Sequence, residues 1–409
     1  MRRSCIEDKS EGLAEGVIEM FSSQEEVFEK EKRYIMQTYK RPRIVLKAGK
    51  GSKVTDFAGN EYIDCVAGIA VNAVGYSHPV VVNALREQAG KLMHASNLYY
   101  TEPQVNLAEK LSEISGMHKA FFCNSGAESV EAALKLATKM TGKTGFIAAE
   151  GSFHGRTLGS LGVTFGTKFR SAFEPLLQKG TKFVRYNDAP AIRNAIDENT
   201  AAVILEPIQG ETGVIVPSDG YLREVREICT EKGVLLILDE IQTGFGRTGR
   251  WFGKEHDGVE PDIMTLAKAL GAGFPIGAML ATEGIEFEAS EHASTFGGSP
   301  LACTAALASI KVIEDEQLVE RSRDLGAYFR EKVREEGIDS NPVVKEIRGR
   351  GLMIAIELTM SCGEIVAKAL ERRILINCTS DNVIRLVPPL VISKEEIDTV
   401  ISVLCEVVK

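Results

Sequence analysis

The chain is predicted to be an α/β protein with a mostly parallel sheet in a large domain and a smaller α+β domain beside it. Three observations lead there. First, short runs with apolar centres, KAFFCN, TGFIAA, TKFVRY, AAVILE, GVLLILD and DIMTLA, alternate with helical stretches between residues 119 and 267. Such strands are buried on both faces, as crossover helices require. Second, the pattern changes near Lys311, where helical runs precede the strand segments KEIRGRGLMIAIEL and NVIRLV. Third, 409 residues suffice for two substantial cores.

Taken in order, residues 1–24 are polar and charged and read as a loose arm or a short helix. Residues 54–66 form a hairpin about Ala58, Gly59 and Asn60. A helix is expected over residues 78–94, opened by Pro79 and burying Val81, Leu85 and Leu92, and another follows Pro103. A helical run over 315–336 and a last helix from Ser393 complete the carboxyl-terminal part, with the hairpin joining it in space. The small domain then comprises 25–70 and 311–409, and the large one 71–310. Ligands of such sheets bind beyond the carboxyl ends of the strands.

Composition narrows the classes of function. A net charge of −9, without a basic tract, argues against a nucleic-acid partner. No apolar run approaches a membrane span and no apolar signal core opens the chain, so a cytoplasmic protein is expected, with no membrane partner. The eight cysteines are scattered, with neither CxxC pairs nor histidines at ligand spacing. They read as buried thiols in a reducing compartment, with no metal site and no disulfide framework.

The chemistry centres on Lys268. It interrupts an apolar segment at a strand end and is followed by Gly271, Gly273 and Pro275. A lysine withdrawn from water loses basicity and becomes an amine nucleophile, as Schiff-base chemistry with pyridoxal 5′-phosphate demands. That cofactor also needs a phosphate cradle and an acidic partner for its ring nitrogen. Strand, Asn124, Ser125, Gly126 and a helix start satisfy the first need, although Ser125 suits helix capping equally well. Asp239, at the end of GVLLILD, satisfies the second; a helix-capping Asp is the alternative. Phe153, beside His154 and Arg156, is a candidate to stack on the ring. The glycine-rich stretch over 240–251 lacks the lysine spacing of a nucleotide-triphosphate loop.

Together, NSGAE, FHGRT, EPIQGE, LDEIQTGFGRTG, TLAKALGAGFPIGAM, STFGG and IRLVPP resemble, in order, the class III pyridoxal-phosphate aminotransferases, most closely the branch acting on acetylornithine in arginine biosynthesis. The resemblance implies a fold type I transferase with a seven-stranded sheet. It implies that Lys268 holds the cofactor and shuttles the proton, and that Asp239 keeps the ring nitrogen protonated. Gly126 and Ala127, with Ser125, would hold the phosphate, Phe153 would stack, and Gln242 would approach the phenolic oxygen. Thr295 would reach the phosphate of the other subunit of a homodimer, with Ser294 near the substrate. Arg156 would take the carboxylate end of the acylated donor and Arg385, read as lying on an edge strand, that of glutamate or 2-oxoglutarate. Glu211 would act as a gate over Arg385, with Glu206 of the same motif in the substrate set.

The resemblance extends to enzymes using ornithine, 4-aminobutyrate, succinylornithine or carrier-linked aminoadipate and lysine derivatives. An aminomutase of glutamate semialdehyde is disfavoured by Arg156, and a scaffold without chemistry by the presence of Lys268, Asp239, Phe153, Arg156 and Thr295 together.

Overall fold

A computed structural model describes residues 21–408, so nearly all of the expected arm lies outside the described residues. The described chain begins with a helix, Gln24–Tyr34, capped by Ser23. Strands β1 (Leu46–Lys50), β2 (Lys53–Asp56) and β3 (Glu61–Asp64) follow, with the expected turn between the last two. Asp56 holds that turn, accepting from the backbone of Ala58 and Asn60.

The large sheet is built from β4 (Lys119–Cys123), β5 (Gly145–Ala149), β6 (Thr181–Val184), β7 (Thr200–Leu205), β8 (Leu235–Asp239), β9 (Ile263–Leu266) and β10 (Gly277–Ala281). Its order is β4-β10-β9-β8-β7-β5-β6, and only β10 runs against its neighbours. Period-two alternation decides which core each residue joins. Phe146, Ala148, Ala202, Ile204 and Ile237 pack under Val130, Ala133 and Ala137 of the helix Gly126–Thr141. Ile147, Ala149, Val203, Leu205, Leu236 and Leu238 face Leu222, Val225 and Ile228 of the helix Tyr221–Lys232. Both faces are therefore dry, which is why the interior positions of β5, β7 and β8 are apolar.

The carboxyl-terminal part supplies β11 (Val344–Arg350), β12 (Met353–Leu358), β13 (Ile374–Leu375), β14 (Asn377–Thr379) and β15 (Val383–Leu386). Four of them form a sheet of order β11-β12-β15-β14, while β13 pairs in parallel with β3 and completes the sheet of the amino-terminal hairpin. The last helix, Lys394–Val407, starts where expected, with Ser393 and Glu396 forming a reciprocal cap.

Four expectations need correction. The helix expected over 78–94 is Pro79–Ala89; Gly90 ends it, leaving Leu92 beyond it and 44% exposed. The run over 315–336 is the helix Leu318–Glu335, separated from Pro300–Asp315 by Gln317 in left-handed conformation. Arg385 is not on an edge strand, because β15 lies between β12 and β14. The cysteines are not all thiols: Cys362 and Cys378 form a disulfide. Their spacing gave no sign of it; packing of the helix Gly363–Glu371 over β14 brings the two Cα atoms to 5.8 Å. Among the described residues, no helix is long and apolar enough to cross a membrane.

Candidate active site

Five loops leave the carboxyl ends of parallel strands and converge on one edge of the large sheet. Each carries a residue singled out by its chemistry: Ser125 after β4, Phe153 after β5, Glu206 and Glu211 after β7, Asp239 at the end of β8 and Lys268 after β9. The antiparallel strand β10 contributes none, since its carboxyl end points the other way.

Lys268 has left-handed backbone, φ 45°, a conformation costing a side-chain-bearing residue about 1–2 kcal/mol. Strain of this kind concentrates at functional sites. Its Nζ makes no hydrogen bond or ion pair among the described residues. Burial, reinforced by the charge of Arg385, lowers its pKa to about 8 against the opposing pull of Asp239, Glu206 and Glu211.

Asp239 is 3% exposed. One of its oxygens meets His154 Nδ1 at 2.7 Å and the other accepts from the backbone N–H of Ile241 at 3.1 Å. His154, next to half-buried Phe153 and itself 2% exposed, carries no role in the motif reading. Glu206, expected in the substrate set, braces two loops with its carboxylate, accepting from the backbone N–H groups of Phe153 (3.0 Å) and Gly210 (2.9 Å). Burial pushes its pKa up to about 7.

Ser125 is the cap of the helix Gly126–Thr141, its Oγ accepting from Glu128 N–H. The helix start is tight: a Cβ on Gly126 would stand 2.8 Å from Ile241 Cδ1. Ala127 follows on the first turn, whose unpaired N–H groups face the same edge. Gln242 is buried, and its Oε1 lacks a partner among the described residues.

Arg385 is fully buried on β15. Its Nη1 donates to Glu211 Oε2 at 3.0 Å and to Gly210 O at 3.1 Å. With its amide turned to satisfy both groups, Asn377 accepts from Arg385 Nη2 at 2.9 Å and donates to Arg385 O at 3.2 Å. The ion pair is lopsided: the Arg385 side chain is 1% exposed and that of Glu211 39%. A cavity of about 450 Å³ adjoins it, walled by Phe153, Phe165, Phe169, Glu211 and Asp381. Arg156 is exposed and lies 4.2 Å over the Phe169 ring, without an ion pair among the described residues. A second cavity, about 480 Å³ around Arg185 and Asp219, holds none of the expected site residues.

Ser294 and Thr295 stand in a loop that meets this cluster at Asn124, next to Ser125. Ser294 Oγ accepts from Gly297 N–H and from Asn124 Nδ2, and Thr295 is exposed. Asn97 ties the loop to the segment before it through Ser294 O and Gly297 O. The shared surface leaves Leu98 (83%), Tyr100 (99%) and Phe296 (62%) in water.

Comparison with known proteins gives a consistent picture. The acetylornithine aminotransferase of Methanosarcina acetivorans is 60% identical over 395 residues, covering 96% of this chain and 99% of that one. An ornithine aminotransferase structure from Toxoplasma gondii, in which pyridoxal phosphate partly occupies the active site, matches with TM-score 0.91 and 37% identity over 94% of each chain. The acetylornithine aminotransferase structure from Elizabethkingia anophelis matches with TM-score 0.83 and 34% identity, over 95% of this chain and 99% of that one. The family model for class-III aminotransferases matches residues 34–408. The chain therefore belongs to the class-III aminotransferases.

Proposed function

We propose that this aminotransferase uses pyridoxal 5′-phosphate to move the terminal amino group of N2-acetyl-L-ornithine to 2-oxoglutarate, giving N-acetylglutamate 5-semialdehyde and glutamate. The observation that carries the reading is the lopsided pair of buried Arg385 and half-exposed Glu211. An enzyme alternating between a diacid and a monoacid amine needs a cation that can be covered and uncovered. Glu211 can turn to water at little cost, whereas Arg385 cannot leave its burial and must find another carboxylate.

The residues present fit the cofactor. Lys268 offers an unpaired amine. Asp239 uses two of its roughly four acceptor positions on His154 and Ile241, leaving room for a ring N–H. Gly126 and Ala127 open a helix toward a phosphate, Phe153 supplies an aromatic face, and Gln242 Oε1 is a buried acceptor in want of a donor.

When bound, the cofactor supplies an aldehyde for the amino group and a ring that accepts electrons. Lys268 Nζ takes the proton from the carbon bearing that amino group and later returns it. Its lowered basicity leaves a usable fraction of free amine near neutral pH. Asp239, held by His154, keeps a negative charge against the ring nitrogen. Glu206 fixes the loops of Phe153 and Gly210 that flank the ring. Arg156, held over Phe169, grips the carboxylate of the acylated donor. Arg385 grips that of the 2-oxo acid once Glu211 withdraws, because a guanidinium fork suits a carboxylate.

The active unit in this reading is a homodimer, with Thr295 completing the partner's phosphate site and Ser294 beside the substrate. The exposed cluster of Leu98, Tyr100 and Phe296 next to Thr295 supports it, since such a patch is costly in water. Single-turnover absorbance of the cofactor-loaded enzyme with acetylornithine, ornithine, 4-aminobutyrate and glutamate tests the assignment. Rapid conversion by acetylornithine and glutamate is expected. Conversion by glutamate alone would leave an aminotransferase and remove acetylornithine as donor.

A further inference from the structure

Arg385 draws a second partner from a strand with little to hold it. β14 has only three residues and a single neighbour in its sheet, β15, in the register Asn377↔Arg385, Cys378↔Ile384 and Thr379↔Val383. Short edge strands are where sheets open first. Yet Asn377, its first residue, faces Arg385 with both amide groups. The turn that follows, Ser380 and Asp381 with left-handed φ of 50° and 63°, brings Asp381 to the cavity beside Phe153 and Glu211.

What fastens this strand is the disulfide. Cys378 is the middle residue of β14, and Cys362 begins the helix Gly363–Glu371. The backbone N–H of Cys362 also donates to Asp381 O at 3.0 Å, so one residue holds both the strand and the turn. Cys362 is fully buried while Cys378 is half-buried, so Cys378 is the half of the bridge nearer the surface.

We propose that Asn377 is a positioning residue that sets the plane of the Arg385 guanidinium for the 2-oxo acid, and that the Cys362–Cys378 disulfide locks the strand carrying it, making affinity for the diacid sensitive to dithiols. The inference rests on the assignment of Arg385 to the 2-oxo acid. A dithiol reductant attacks Cys378 Sγ as thiolate. The S–S bond breaks with its electron pair leaving on Cys362 Sγ, which takes a proton. The second thiol of the reductant then displaces Cys378, which is also protonated. Two electrons and two protons reach the protein, and the reductant leaves as its own disulfide. β14 then keeps its three-residue ladder and the bond from Cys362 N–H to Asp381 O but loses its covalent tie, and Asn377 fixes Nη2 less firmly.

Calorimetric binding of glutarate, an unreactive diacid, to the cofactor-loaded enzyme is the test. Enzyme reduced with dithiothreitol, with two further thiols counted, and the Cys362→Ser/Cys378→Ser variant should both bind glutarate about threefold more weakly. Asn377→Ala should bind it roughly tenfold more weakly, the effect of losing a hydrogen bond to a charged group. In turnover the KM for 2-oxoglutarate should rise in step while kcat and the acetylornithine half-reaction hold. Glutarate affinity that ignores both reduction and the double variant would overturn the lock. Asn377→Ala with wild-type affinity, or with equal losses toward acetylornithine, would overturn the positioning role. If Arg385→Ala itself binds glutarate like wild type, the assignment of Arg385 fails instead.

Discussion

The two ends of the candidate site are built on opposite principles. At the edge of the large sheet, Asp239 ends its strand and Lys268, Phe153 and Ser125 follow theirs by no more than a few residues, on backbone that leads directly out of the sheet's core. At the other end, Arg385 meets Glu211 across 174 positions of sequence, on a small sheet whose last strand is three residues long. The first end is rigid and cannot adapt; the second is held by contacts that can be exchanged. A cofactor that stays and substrates that alternate call for this division.

Replacement of Lys268 by Ala should produce the largest effect, a loss of about 10⁴-fold in kcat with the far-ultraviolet circular dichroism unchanged. Activity within tenfold of wild type would break the assignment of the rigid end. Arg385→Ala should lower kcat/KM for 2-oxoglutarate a few hundred-fold, about the effect of removing one member of a buried charge pair. Steady-state kinetics would show a far smaller change for acetylornithine if the exchangeable end is read correctly.

A pH titration sharpens the rigid end further. With Lys268 lowered to about 8, its neutral fraction, and with it the rate at which apoenzyme takes up cofactor, should rise about tenfold per pH unit below 8 and level off above it. A rate still climbing at pH 10 would mean an ordinary, solvated lysine. The smallest effect belongs to Glu211→Ala, which should shift preference toward glutamate over acetylornithine about fivefold without weakening cofactor binding. An unchanged ratio of the two kcat/KM values would argue against a gate.

The same division explains what could be read from the chain. The central strands of the large sheet announce themselves because two-sided burial leaves them almost wholly apolar, and a polar residue ending such a run stands out. Asp239 after Leu235, Leu236, Ile237 and Leu238 is the clearest case. The substrate end has no such local signal. Arg385 looks like a charge on an edge strand until β14, a segment too short to be recognised, is found beside it. Cys362 and Cys378 lie 16 residues apart without a motif, and only the packing of a helix over that strand unites them. His154 receives no role from the sequence for another reason: its neighbour Phe153 accounts for the motif, and a histidine turned inward toward Asp239 is indistinguishable in sequence from one facing water.

Glu211 is, in effect, a tethered copy of the carboxylate that Arg385 is proposed to receive. In that reading it would compete with every incoming diacid at a local concentration set by its loop, which for a short tether is on the order of millimolar. The enzyme would thus carry its own competitive inhibitor, and free diacid would have to exceed that internal concentration, weighted by the strength of the closed pair, before it is bound. The length and stiffness of the loop from Glu206 to Glu211, braced at Gly210, then fix the substrate range over which the enzyme responds.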